Sequence, residues 1–115
     1  MPTKKNPLGL NALQLKTLTL LQELARLSGR PAPDSPAGHV LVTGMPNPHG
    51  DHFHLGDAVV MSRDASGLAN EGAWAALERK GLIKAMFPIA AVLTPSGLAY
   101  DTGLREIILH RAHHH

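Results

Sequence analysis

Residues 10–27 constrain the fold more than any other stretch of this chain. Leu10, Leu13, Leu20, Leu24 and Leu27 recur at helical spacing, and Leu15, Leu18 and Leu21 widen the apolar stripe. Gln14, Glu23 and Arg26 fall at polar positions elsewhere on the helix. Asn6 or Asn11 supplies a cap before it, and Gly29 a stop after it. A stripe this wide is either buried on two sides of its own domain or shared between a core and a second copy of the chain. The leucines leave both open.

The remaining apolar material fits one domain. The chain has 115 residues, 43% of them hydrophobic and 17% charged, which is a globular composition. Aromatic residues make up only 3%, so Leu, Val, Ile and Ala must build the core. With no cysteine there is no disulfide scaffold, thiolate zinc site or cysteine nucleophile, in keeping with a reducing, cytoplasmic setting. No apolar run approaches the roughly 18 residues of a membrane span, and the basic start lacks the apolar core of a signal peptide. Residues 1–9 read as a flexible arm, 10–112 as a single domain, and 113–115 as a histidine tail, native or left by a purification tag. A formal charge of +2 permits a nucleic-acid partner without requiring one.

Glycine and proline punctuate the rest. Residues 29–38 form a loop, 39–43 (HVLVT) a β-branched strand, 44–51 a second loop and 52–55 (HFHL) a short strand. In 56–66, Val59 and Val60 favour a strand, whereas Asp57 would cap a helix over 58–65. A clearer helix covers 68–80, with Ala73, Trp74 and Leu77 on one face and Gly81 as its stop. Strands at 82–86 and 91–94 flank a tight connection at Pro88. Thr94-Pro95 then opens a last helix over 95–112, weakened by Gly97 and Gly103 but given an apolar side by Leu104, Ile107 and Ile108.

ALERKGLI (76–83) and VLTPSGLAY (92–100), joined by a short apolar strand, resemble winged helix-turn-helix domains of the MarR type. Leu77, Gly81, Leu82 and Ile83 carry the first motif, and Leu93, Thr94, Pro95 and Gly97 the second. The resemblance covers residues 56–103 and extends loosely to the first helix and the strand at 39–43. It implies an α+β winged helix with long N- and C-terminal helices and a small antiparallel sheet, acting as a homodimeric DNA-binding transcriptional regulator. It also implies a helix at 57–63, a turn at 64–67 and a recognition helix at 68–80. DNA contacts would then come from Arg63, Ser66, Asn70, Arg79, Lys80 and Lys84. Two departures support an alternative. Ala69, Glu71, Gly72 and Ala75 offer little base-reading chemistry, and the wing Phe87-Pro88-Ile89-Ala90 is apolar where cations are common. A protein-interaction module with its partner at Phe87 and Ile89 is the second expectation.

The run His49-Gly50-Asp51-His52-Phe53-His54 has the chemistry to hold a divalent transition metal. On a strand His52 and His54 share one side while Phe53 and Leu55 take the core side. His49 or Asp51 would supply a third ligand, and the metal would make the domain responsive to it. The plainer reading is a polar loop and an exposed, histidine-rich strand face. Ser62, Ser66 and Ser96 lie near acids, but none sits in a G-x-S-x-G turn, and there is no P-loop or G-x-G-x-x-G. Asp64, Glu71 and Glu78 read as helix-surface charges. The chain is not expected to be an enzyme.

Overall fold

Asn11 opens the longest helix. Its side chain accepts from the Gln14 N–H at 2.8 Å, and the Gln14 side chain accepts from the Asn11 N–H at 3.0 Å, a reciprocal cap. Helix α1 follows over Ala12–Ser28. The computed structural model describes residues 6–47 and 50–111, so His49 and the tail at 113–115 lie outside the described residues. Residues 6–9 do not extend a free arm. The Asn6 side chain bonds both the N–H and the carbonyl of Leu10, at 3.0 and 2.9 Å, and accepts from the Tyr100 hydroxyl.

Most of the leucine stripe is covered within the chain, although Leu27 at its end is 40% exposed. Leu18, Leu20 and Leu21 are fully buried, and α1 packs against elements on several sides. Each such side chain contributes about 1.5–3 kcal/mol on leaving water. Packing therefore outweighs the weak helix propensity of Thr17 and Thr19, whose hydroxyls bond back to the Leu13 and Leu15 carbonyls. Most of the apolar surplus of the helices is used inside one chain, with Leu27 and Ile107 left exposed. Gly29 ends α1 with φ −67°, an extended conformation and not the left-handed one expected of a stop glycine. It is glycine because a Cβ there would collide with Val40 and the Ala25 carbonyl.

Two antiparallel sheets follow. The first contains β1 (Arg30–Pro31), β2 (Val40–Thr43), β5 (Ile83–Met86) and β6 (Ala90–Leu93), in the order β1-β2-β6-β5. The loop expected over 29–38 thus contributes a two-residue edge strand. Val40, Leu93 and Ile83 lie in register on the inner face, and Val42, Ala91 and Ala85 form the next row. The second sheet contains β3 (His52–Leu55), β4 (Ala58–Met61) and β7 (His110–Arg111), in the order β3-β4-β7.

Three expected elements are corrected. The helix at 57–63 is instead strand β4 over Ala58–Met61, which runs directly into a 3-10 helix at Ser62. Gly56, with φ +62°, turns the chain in two residues, and Val59 and Val60 pair with His54 and Phe53. The turn at 64–67 lies within a 3-10 helix, Ser62–Ala69, and the helix at 68–80 begins only at Glu71, as α2 (Glu71–Arg79). Asn70 sets that start by accepting from the Ala73 N–H at 3.0 Å. The long last helix is broken into α3 (Pro95–Ala99), α4 (Arg105–Ile108) and β7. Thr94 caps α3 as expected, accepting from the Gly97 N–H at 3.0 Å. The Gln22 side chain then donates to the Gly97 and Tyr100 carbonyls at 2.8 Å each, and Tyr100 turns extended. Gly103, with φ +73°, completes the break. The architecture is mixed α+β with small antiparallel sheets.

Gly97 brings α3 directly onto the start of β5, where a Cβ would run into the Leu82 carbonyl oxygen. Backbone gives way less easily than a side chain tip. We expect Gly97→Ala to lower stability by about 2 kcal/mol, read as a reduced midpoint in urea unfolding. An unchanged midpoint would show that α3 can lift off without cost.

Candidate nucleic-acid interface

Helix α2 has two unlike faces. Ala73, Trp74, Ala76 and Leu77 are buried, and the Trp74 Nε1–H donates to the Gly67 carbonyl at 3.1 Å. The outer face presents Glu71, Gly72 and Glu78, with Ala75 half-buried, so the expected shortage of base-reading groups is present at the surface. The 3-10 helix packs beside α1 through Gly67, whose missing Cβ leaves room for the Thr17 hydroxyl.

The sequence-selected cations do not form one stripe. Arg79 and Lys80 sit together, exposed, at the end of α2. Arg63 and Ser66 are exposed on the 3-10 helix. Lys84 pairs with Val92 in the sheet, on the face opposite Ile83 and Ala85, and so points away from the helices. Asn70 is exposed, but its side chain oxygen is engaged in capping α2. Among the described residues Arg63, Arg79, Lys80 and Lys84 form no ion pairs, so their charge is available to an anion. Asp64 is a correction of another kind. It is not a surface charge but is 8% exposed, with its carboxylate 2.9 Å from Lys16 Nζ.

The wing also differs from expectation. Phe87 is half-buried and meets Trp74 edge-on, with ring centroids 5.1 Å apart, so it is not a free contact for a partner. Ile89 is 73% exposed and Met86 42% exposed. A shallow cleft of about 470 Å³ lies nearby, lined by Met45, Pro46, Ser62, Leu68 and Pro88.

The most concentrated charge on the molecule escaped the sequence reading. Glu23, expected at a polar position, is fully buried. Arg105 reaches it at 2.7 Å and Arg111 at 3.3 Å, and Arg26 bonds it from one turn away. Arg111 also bonds Asp57. Burial raises the Glu23 carboxyl, but the three arginine hydrogen bonds more than reverse this and hold it at about 2 in place of 4.5. A cleft of about 650 Å³ borders the cluster along Gln22, Arg26, Tyr100 and Arg105. The arginine heads already face Glu23, so the cluster ties α4 and β7 to α1.

In the histidine run, His52 and His54 share the exposed face of β3, with Leu55 buried and Phe53 half-buried on the other, as the strand period predicts. Asp51 is exposed and its Oδ1 lies 2.9 Å from His52 Nδ1. The adjacent ring holds the Asp51 carboxyl below its ordinary value. Among the described residues no group of three His, Asp or Glu side chains is gathered around a metal-sized point. Likewise, no helix of the described residues is long and apolar enough to cross a membrane.

No family model, curated protein or solved structure matches this chain.

Proposed function

We propose that the chain is a winged-helix DNA-binding module, serving transcriptional regulation, that grips the phosphate backbone more than it reads bases. The observation carrying this reading is the order of elements. A helix and strand β2 come first, the β3–β4 hairpin is inserted after them, and two short helical segments, the β5–β6 hairpin and α3 follow, with β6 lying between β2 and β5. That order supports the arrangement implied by the two motifs around the wing. The unpaired Arg79 and Lys80 at the end of α2, with Arg63 on the preceding 3-10 helix, supply the phosphate contacts. The outer face of α2, with Glu71 and Glu78, supplies few base contacts, so discrimination between sequences is weak.

A mobility-shift assay on mixed duplex DNA tests this. We expect a shift at micromolar protein in about 50 mM salt that is lost by about 200 mM. Three phosphate contacts give a slope of about −3 in log affinity against log salt, and Arg79→Ala with Lys80→Ala reduces it by about 2. No shift at low salt overturns the reading.

A second reading is favoured by one observation, the exposure of Ile89 and Met86 on the β5–β6 hairpin. An apolar hairpin tip beside the Met45–Leu68–Pro88 cleft suits a protein partner. Ile89→Asp, which leaves the Phe87–Trp74 contact intact, separates the two. It abolishes partner binding in this reading and leaves the salt slope unchanged in the first.

A further inference from the structure

We propose that His52 and His54 form a two-imidazole site for a divalent late first-row transition metal ion, with Asp51 orienting His52 and not serving as a ligand. The site stands independently of the nucleic-acid reading.

The strand supplies the spacing. His52 and His54 project from one exposed face of β3, two residues apart, with ring centroids 5.9 Å apart and the rings edge-on. A metal bound at about 2.0–2.1 Å to one nitrogen of each ring holds the two ring centres roughly 5–6 Å apart. The separation of the two rings is therefore compatible with a shared ion. The rest of the hairpin is fixed: β4 pairs with β3 along its whole length, and the Ser62 N–H donates to the Asp51 carbonyl at 2.9 Å.

Asp51 supplies the second observation. An ionised carboxylate only accepts hydrogen bonds, so the contact from Asp51 Oδ1 to His52 Nδ1 places the proton on Nδ1. The Nε2 lone pair is then free for a metal. Carboxylate support of the far ring nitrogen fixes the tautomer and raises the basicity of a histidine ligand. This assigns Asp51 a role different from the third ligand expected of it. Among the described residues no third His, Asp or Glu joins the pair, which leaves the remaining coordination positions open to water or another donor. Imidazole ligands and open positions suit copper, nickel and zinc, not magnesium or calcium.

His110 provides an internal control. Val59 is in register with both His54 and His110, so His110 lies on the same sheet face, two strand spacings or about 10 Å from His54. It shares the surface but stands outside the pair.

The terminal histidines chelate metal on their own, so the test uses the full chain carrying His113→Ala, His114→Ala and His115→Ala. Calorimetric titration with CuCl2, NiCl2, ZnCl2 and MgCl2 is expected to show one ion per chain, tightest for Cu2+, and no response to Mg2+. His52→Ala with His54→Ala abolishes binding. Asp51→Ala weakens it about 10- to 100-fold. His110→Ala leaves it unchanged. All four side chains are exposed, and matching melting curves without metal confirm that the variants fold. The proposal is overturned if the parent binds no tighter than the double variant. It is also overturned if His110→Ala costs as much as His54→Ala, because the face then binds ions diffusely. Unchanged affinity in Asp51→Ala removes the orienting role.

Discussion

Replacing Glu23 by glutamine lowers the unfolding free energy by about 3 kcal/mol at neutral pH. The figure follows from the depression of the Glu23 carboxyl by its arginines. A carboxyl held at about 2 in the fold and at 4.5 when exposed contributes about 3 kcal/mol wherever both states are ionised. Breaking a buried ion pair costs about 3–5 kcal/mol, and the lower end applies here. The Arg26 and Arg105 side chains are 50% and 45% exposed and can return to water, whereas Arg111, at 23%, is less able to. The sign of the pH dependence is fixed by the direction of the shift. Because the folded value lies below the unfolded one, the contribution is complete above pH 4.5 and is lost as pH falls toward 2. Urea unfolding of parent and Glu23→Gln at pH 7 and pH 3 should show a gap that narrows on acidification. A gap of constant size would mean that the carboxylate charge is not what the arginines stabilise.

Trp74→Ala is expected to cost about 3–5 kcal/mol. Trp74 is fully buried, and its removal opens the space between α2, the 3-10 helix and the β5–β6 hairpin. Two further losses add to the cavity. The Gly67 carbonyl loses one of its two donors, keeping the Asn70 N–H, and Phe87 loses the ring it packs against. Trp74→Phe keeps most of the volume but not the Nε1–H, so it should cost clearly less: Gly67 keeps the Asn70 N–H at 3.1 Å and loses one hydrogen bond, a penalty of about 1 kcal/mol. Circular dichroism during urea unfolding reads both variants without relying on the lost fluorophore. If the alanine variant lost less than about 1 kcal/mol, Trp74 would not be the packing centre of this half of the molecule.

The features readable from sequence were those decided by near neighbours. Asn11 and Gln14 are three residues apart, and Thr94-Pro95 carries its own cap, so both helix starts follow from local chemistry. The alternation in HFHL placed His52 and His54 on one face for the same reason. The stretch 57–63 was readable both ways, because its valines suit a strand and Asp57 suits a cap. Its pairing with β3 and β7 decided the matter, and one of those two partner strands, His110–Arg111, lies far along the chain. The last helix failed through a partner equally distant: Gln22 claims carbonyls 75 and 78 residues away. Glu23 was misplaced because a helical wheel shows which face a residue occupies, not what arrives to neutralise it. Two of its three arginines lie 82 and 88 residues downstream.

Those separations also bear on the chain as it is made. Synthesis proceeds from the N-terminal side, so α1 leaves the ribosome long before Arg105 and Arg111 exist. Until then Glu23 has only Arg26 beside it, and burying the helix carries the full cost of desolvating a charge that is barely compensated. Closing the core around α1 before Arg105 and Arg111 are in place is therefore less favourable than in the finished fold, where all three arginines meet Glu23.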